Sequence, residues 1–152
     1  METRSVNRQK IYCLCGVPGA GKTWITNHKD IQEKFHHIWH DGFIYLKQPG
    51  AYVRAILEQA EAAKKPILID APFSVRDTTD PLEEAGYLVE PIYILEDPDI
   101  LAQRYQNDPT RCGKPLPKGH LTRMATYAER AKSGNRFGGN STQVLEYLRS
   151  LV

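Results

Sequence analysis

The run "IYCLCGVPGAGKTWI", residues 11–25, constrains this chain more than any other. Five residues rich in strand formers stop at Gly16, a loop containing three glycines follows, and Lys22 and Thr23 open a segment of helical character. A strand that turns through a glycine-rich loop straight into a helix belongs to the α/β repertoire, because the helix then packs back on the strand's own sheet.

The rest of the chain supplies partners for that strand. Residues 9–15 are the first strand, 22–34 a helix, and "HHIWHD", 36–41, a short second strand ending at Asp41. Val53, Ile56, Leu57 and Ala60 have one-faced helical spacing, and Pro66 cuts off any continuation before "ILID", 67–70, a third strand. Asp80 as N-cap, Pro81 at the first helical position and Gly86 past the end predict a short helix. "VEPIYILE", 89–96, is a fourth strand whose Pro91 puts its beginning at an edge or outside the ladder. Asp97 caps a helix starting at Pro98; Leu121, Met124, Ala125 and Ala128 mark another, and Val144, Leu145, Leu148 and Leu151 a last one. Segments 107–118 and 132–141, rich in Pro, Gly, Asn and Lys, read as irregular.

This alternation predicts a three-layer α/β domain around a mostly parallel sheet flanked by helices. With 152 residues there is chain for one full core and not for two, so a single domain over 1–152 is expected. No apolar run approaches the roughly 18 residues of a membrane span, and nothing resembles a signal peptide, so a cytoplasmic protein with no membrane partner is expected. Cys13 and Cys15 share one face of the first strand and read as buried thiols, since a two-residue step along a strand suits neither a disulfide nor a common metal-ligand pair. A net charge of +2 leaves any basic surface local.

In open parallel sheets ligands bind beyond the carboxyl ends of the strands. Four points fall there: Gly16, Asp41, Asp70 and the segment after Glu96. "GVPGAGKT", 16–23, fits G-x-x-x-x-G-K-[ST] between a strand and a helix, the context that makes the pattern a phosphate-binding loop. Gly16, Pro18, Gly19, Ala20 and Gly21 form the loop, and its glycines let backbone N–H groups turn inward on an anion. Lys22 would reach the β- and γ-phosphates of ATP, and the Thr23 hydroxyl would ligate Mg²⁺. Asp70 ends an apolar strand where a carboxylate holds Mg²⁺ or its hydration shell; an acidic cap is the plainer reading. GTPase base-recognition patterns of the N-K-x-D kind are absent and the chain is too short for an oligomeric ATPase, which leaves a small kinase.

Asp41 stands where a carboxylate accepts the proton of an attacking hydroxyl, or is simply the first residue of a D-G turn. His36, His37 and His40 precede it; only His36 and His40 share a face, beside Ile38, and packing explains them better than a metal. Arg104, Arg111 and Lys114 gather cations in a Pro/Gly-containing flap, about 105–120, that closes on ATP or is an ordinary solvated loop. Arg123, Tyr127 and Arg130 recur at helical spacing opposite the apolar stripe, a face that lines an acceptor groove or faces solvent.

The order of the glycine-rich loop, Asp41, "ILIDAPF", Arg104, Arg111 and "PLPKGHLTRM" resembles the P-loop polynucleotide kinase family and its zeta-toxin-like relatives over nearly the entire chain. The resemblance implies a P-loop kinase fold, Asp41 as catalytic base, and Arg104 and Arg111 as lid arginines on the ATP phosphates. It also implies a DNA acceptor, at a 5′-hydroxyl or, as in phage relatives, on a hydroxymethylated pyrimidine. Two departures stand out. Phe43 and Tyr45 occupy the stretch where the family carries an acceptor-phosphate arginine, so they are candidate base-stacking residues, and "APF" replaces a more polar triplet. A nucleoside monophosphate kinase and a non-catalytic nucleotide-binding module are the alternatives.

Overall fold

In the computed structural model, which describes residues 10–17, 19–38, 50–70, 75–109 and 114–151, the opening apolar run becomes β1 (Lys10–Cys15), the middle strand of the sheet. Around it, in chain order, come α1 (Lys22–Thr26), α2 (Lys29–Lys34), β2 (His36–Ile38), α3 (Ala51–Ala62), β3 (Ile67–Asp70) and α4 (Val75–Glu84). β4 (Leu88–Ile94), α5 (Pro98–Asn107), α6 (Lys118–Ser133), β5 (Gly138–Gly139) and α7 (Ser141–Ser150) complete it. All pairings are parallel and the order is β2-β3-β1-β4-β5. β1 is central because its residues Ile11 to Cys15 are apolar on both faces and are almost entirely buried.

Side-chain alternation along β4 assigns the helical layers. Glu90 bonds Tyr147 of α7, whereas the Tyr93 ring packs on Tyr127 of α6; the two strand residues have opposite parity, so α7 and α6 cover opposite faces. α7 also packs against α1 and α2. The expected α/β architecture is therefore present.

Three local expectations change, and the one for Pro91, an edge at the beginning of β4, is met on the β5 side. The helix over 22–34 breaks at Asn27–His28, where His28 Nδ1 donates to the Trp24 carbonyl at 2.8 Å and Gln32 Nε2 donates to the Thr26 carbonyl at 3.1 Å. Asp80 is not an N-cap: α4 begins at Val75 and Pro81 lies inside it, tolerated while Thr79 and Leu82 are buried in the core. Pro91 sits within β4, paired with Cys13, and its missing N–H costs no ladder bond. The neighbouring odd residues donate toward β5, Tyr93 N to Phe137 O and Leu95 N to Gly139 O, and β5 pairs only with Tyr93 and Ile94. Finally, part of the irregular-looking 132–141 segment is β5, a strand made of two glycines. A Cβ on Gly138 would stand 2.8 Å from Leu95 Cδ1 and 3.1 Å from Ala131 Cβ, so backbone alone fits against α6.

No helix among the described residues is long and apolar enough to cross a membrane.

Candidate active site

The loop leaving β1 is shaped by contacts on every side. Val17 and Ala20 are buried, and Ala20 N donates to Val17 O at 3.0 Å to close a turn. Gly21, at φ +113°, is the N-cap of α1 and brings no capping side chain, so the first amides of the helix are left for a ligand. Its missing Cβ also matters for packing, since one built there would lie 2.8 Å from Ser141 Cβ. Lys22 Nζ donates back across the loop to Gly16 O at 2.8 Å, which holds its charge over the anion cradle. Thr23 is exposed at the next position.

Asp70 stands beside this loop because β3 pairs with β1 in a register that sets Asp70 against Leu14. The carboxylate is mostly buried; Oδ2 lies 3.4 Å from His37 Nε2, while buried Oδ1 accepts no hydrogen bond from the described residues. A buried carboxylate oxygen needs a partner. This oxygen and the Thr23 hydroxyl are donors of the kind that would suit Mg²⁺, which is commonly held by one or two protein oxygens plus phosphates and water. Among the described residues there is no cluster of three or more His, Cys, Asp or Glu that would cage a metal by itself.

Arg104, late in α5, lies against the phosphate loop. Its guanidinium donates to the Gly19 and Ala20 carbonyls, each at 3.2 Å, pairs with Glu96 Oε2 at 3.0 Å and reaches Ser141 Oγ at 3.4 Å. Through these bonds Arg104 ties α5 to the backbone of the loop. Glu96, nearly fully buried, takes Ser141 Oγ–H at 2.8 Å and Asp97 N–H at 3.2 Å as well.

Tyr127 requires a correction. It is fully buried and packs on Tyr93 with ring centroids 5.5 Å apart, so it belongs to the core and offers no surface for a base. Burial pushes its hydroxyl above the ordinary range, with the Arg123 guanidinium pulling the other way. The buried line of α6 is Met124, Tyr127 and Ala131. The expected apolar stripe is rotated: Leu121, Ala125 and Ala128 instead face an open groove of about 330 Å³ shared with Leu95 and Pro98. Arg123 is half-buried, and Arg130 and Lys114 are exposed.

Cys13 and Cys15 are fully buried with their sulfurs 3.9 Å apart. The Cys15 thiol contact and burial push the Cys13 thiol well up, as befits a buried structural thiol. His36 packs on α3, with Nε2 2.7 Å from Gln59 Oε1. Pro18, His40, Asp41, Phe43, Tyr45 and Arg111 lie outside the described residues.

His37 and Tyr52 touch Asp70, and Glu96 and Ser141 touch Arg104; the sequence reading gave none of the four a site role. Glu96 carried a signal, a carboxylate closing an apolar strand at the sheet's carboxyl end. His37 is one residue out of phase with the histidine pair that the alternation flagged.

No protein-family model matches the chain, and no curated protein is similar to it in sequence. Solved structures match over almost its whole length. A tunicamycin resistance protein from Deinococcus radiodurans superposes with a TM-score of 0.68 at 15% identity, covering 93% of this chain and 94% of that one. The chain has the P-loop kinase fold. A gluconokinase from Sinorhizobium meliloti gives 0.58 at 16% identity, covering 93% and 89%, and a sugar kinase from Janibacter gives 0.57 at 17%, covering 91% of each chain.

Proposed function

We propose that this chain is an ATP-dependent phosphotransferase that moves the γ-phosphoryl group to an alcohol oxygen. The observation that carries the reading is Lys22, held over the loop by Gly16 O, together with a buried Asp70 oxygen that takes no hydrogen bond from the described residues, each near the carboxyl end of one of two paired strands. Mg²⁺, when held by Thr23 and Asp70, would supply positive charge that stabilises the transferring phosphoryl group. The Lys22 ammonium supplies charge at the β- and γ-phosphates, and Thr23 and Asp70 supply the oxygens that hold the ion. Asp41 is the proposed general base, taking the proton of the attacking hydroxyl, and Arg111 the proposed lid cation; both assignments rest on sequence.

A small-molecule alcohol is the acceptor we put first. Likeness to chains named gluconokinase and sugar kinase supports it, and the burial of Tyr127 removes one ring from the face expected to hold a nucleic acid. A hydroxyl of DNA, at a 5′ end or on a hydroxymethylated base, is the second reading, supported by Phe43 and Tyr45 after Asp41 and by Arg123 and Arg130 on α6. The test offers ATP labelled in the γ-phosphoryl group with sugars and polyols, 5′-hydroxyl oligonucleotides, hydroxymethylpyrimidine DNA and nucleoside monophosphates. Label in a sugar or polyol supports the first reading and label in DNA the second. Efficient labelling of a monophosphate alone moves the chain to the nucleotide kinases.

A further inference from the structure

The register of the sheet fixes what stands on either side of the Asp70 carboxylate. Cys15 pairs with Tyr93, whose ring packs on Tyr127, so this parity of β1 faces the α6 layer. Leu14 has the opposite parity, and Asp70, its partner in β3, points with it to the face that α7 shares with α1. α1 opens with Lys22 and Thr23, so the carboxylate lies on the same side of the sheet as the helix that leaves the phosphate loop. His37 lies on that side too. It pairs with Leu68, two residues before Asp70, and paired residues of a ladder share a face. Because β2 flanks β3 on the side away from β1, the ring reaches diagonally across the ladder, and Nε2 comes to 3.4 Å from Asp70 Oδ2. The two side chains are only 14% and 13% exposed.

We infer that His37 is a positioning residue whose protonated Nε2 engages Asp70 Oδ2 from the β2 side and so leaves Oδ1 to the divalent cation. The chemistry of the contact places the proton. Nε2 is buried, and a lone pair on it would face a carboxylate oxygen 3.4 Å away, two acceptors together at an atom that solvent does not reach. With the proton on Nε2 the contact is attractive whichever charge the ring carries. Oδ1, equally buried, accepts no hydrogen bond from the described residues and is the oxygen left over for an ion. A carboxylate engaged at one oxygen presents the other in a fixed direction, whereas one free to turn about its last bond does not. Carboxylates that ligate metals are held by outer partners of this kind, and losing one typically costs about 10–100-fold in metal affinity.

This inference rests on the phosphotransferase reading for the ion's role, while the contact between His37 and Asp70 stands apart from it. Two measurements on the full chain test it. Long-range proton–nitrogen correlation by nuclear magnetic resonance, on the nucleotide-free protein, reads which ring nitrogen of His37 carries the proton. Nε2 is expected to carry it. A bare Nε2 would offer a lone pair, the form that ligates a metal, and would overturn the positioning role. Calorimetry then follows ATP binding against Mg²⁺ concentration in the wild type, His37→Leu and His37→Gln. The Mg²⁺ needed is expected to rise about 10–100-fold in His37→Leu, with Mg²⁺-free ATP affinity unchanged, and to return most of the way in His37→Gln, whose amide supplies an N–H of similar reach. A folded His37→Leu chain with wild-type Mg²⁺ dependence would overturn the proposal, and so would a folded His37→Gln chain as impaired as His37→Leu. If neither variant folds, the wild-type ring decides: a proton on Nε2 supports the contact and a bare Nε2 overturns it. A wild type that binds no ATP contradicts the phosphotransferase reading instead, and leaves the ring proton to decide the contact.

Discussion

Glu96 and Arg104 stand 3.0 Å apart, the carboxylate side chain 4% exposed and the guanidinium 40%, and through this pair the end of β4 grips the backbone of the phosphate loop. Arg104→Ala would leave Glu96 buried with only Ser141 Oγ–H and Asp97 N–H as partners. A loss of about 2 kcal/mol is expected, below the roughly 3–5 kcal/mol of a fully buried pair because Arg104 is partly solvated. KM for ATP should rise more than kcat falls, since loop shape governs ground state and transition state alike. Urea unfolding and steady-state kinetics measure both; an unchanged KM with a collapsed kcat would return Arg104 to the transferring phosphate.

Gly21→Ala asks an L-residue to adopt φ +113° and puts a methyl 2.8 Å from Ser141 Cβ. The strain costs about 1–3 kcal/mol, and relief of the clash moves α7 or the loop. Calorimetric titration should find ATP binding lost at concentrations that saturate the wild type. A variant binding ATP normally would mean that the cradle does not need this turn.

Glu90 and Tyr147 share one hydrogen bond, 2.7 Å long, and it acts at both ends of the pH scale. Burial alone would raise the Glu90 carboxyl, but bonds from Tyr147 and Lys10 outweigh it and hold the group below its ordinary 4.5. A depressed carboxyl contributes stability above pH 4.5 that is lost as pH falls through the lower folded value. Burial and Glu90 push Tyr147 from 10.0 up to about 12, so its contribution is present below pH 10.0 and lost between there and about 12. Tyr147→Phe should flatten the stability profile on both limbs, as read by urea midpoints against pH. A profile parallel to the wild type would show that the bond carries no linkage.

The sheet was legible because its signals are local. An apolar run of strand formers bounded by Gly16, and a carboxylate closing "ILID", need no tertiary information. Asp97 was legible as a cap for the same reason: its Oδ1 accepts Asp99 N–H at 2.8 Å, two residues away. What escaped depends on distant partners. Gly138 and Gly139 read as loop because only the approach of Leu95 and Ala131 makes glycine the fitting strand residue there. Tyr127 was given to the wrong face because its burial is decided by Tyr93, on another element. Arg104 is a cation in the expected region, yet its direction is set by Glu96, eight residues earlier and across a helix start.

The phosphotransferase reading is tested most directly by following the γ-phosphoryl label of ATP into an alcohol acceptor with the wild-type chain and with Lys22→Ala. Transfer is expected to require Mg²⁺ in the wild type. In the variant it should fall by at least about 10²-fold while circular dichroism is unchanged, because Lys22 stabilises charge developing on the transferred group from a loop already formed without it. A wild-type chain that binds ATP yet leaves the label in ATP with every alcohol offered, or a Lys22→Ala chain that transfers at the wild-type rate, would contradict the account.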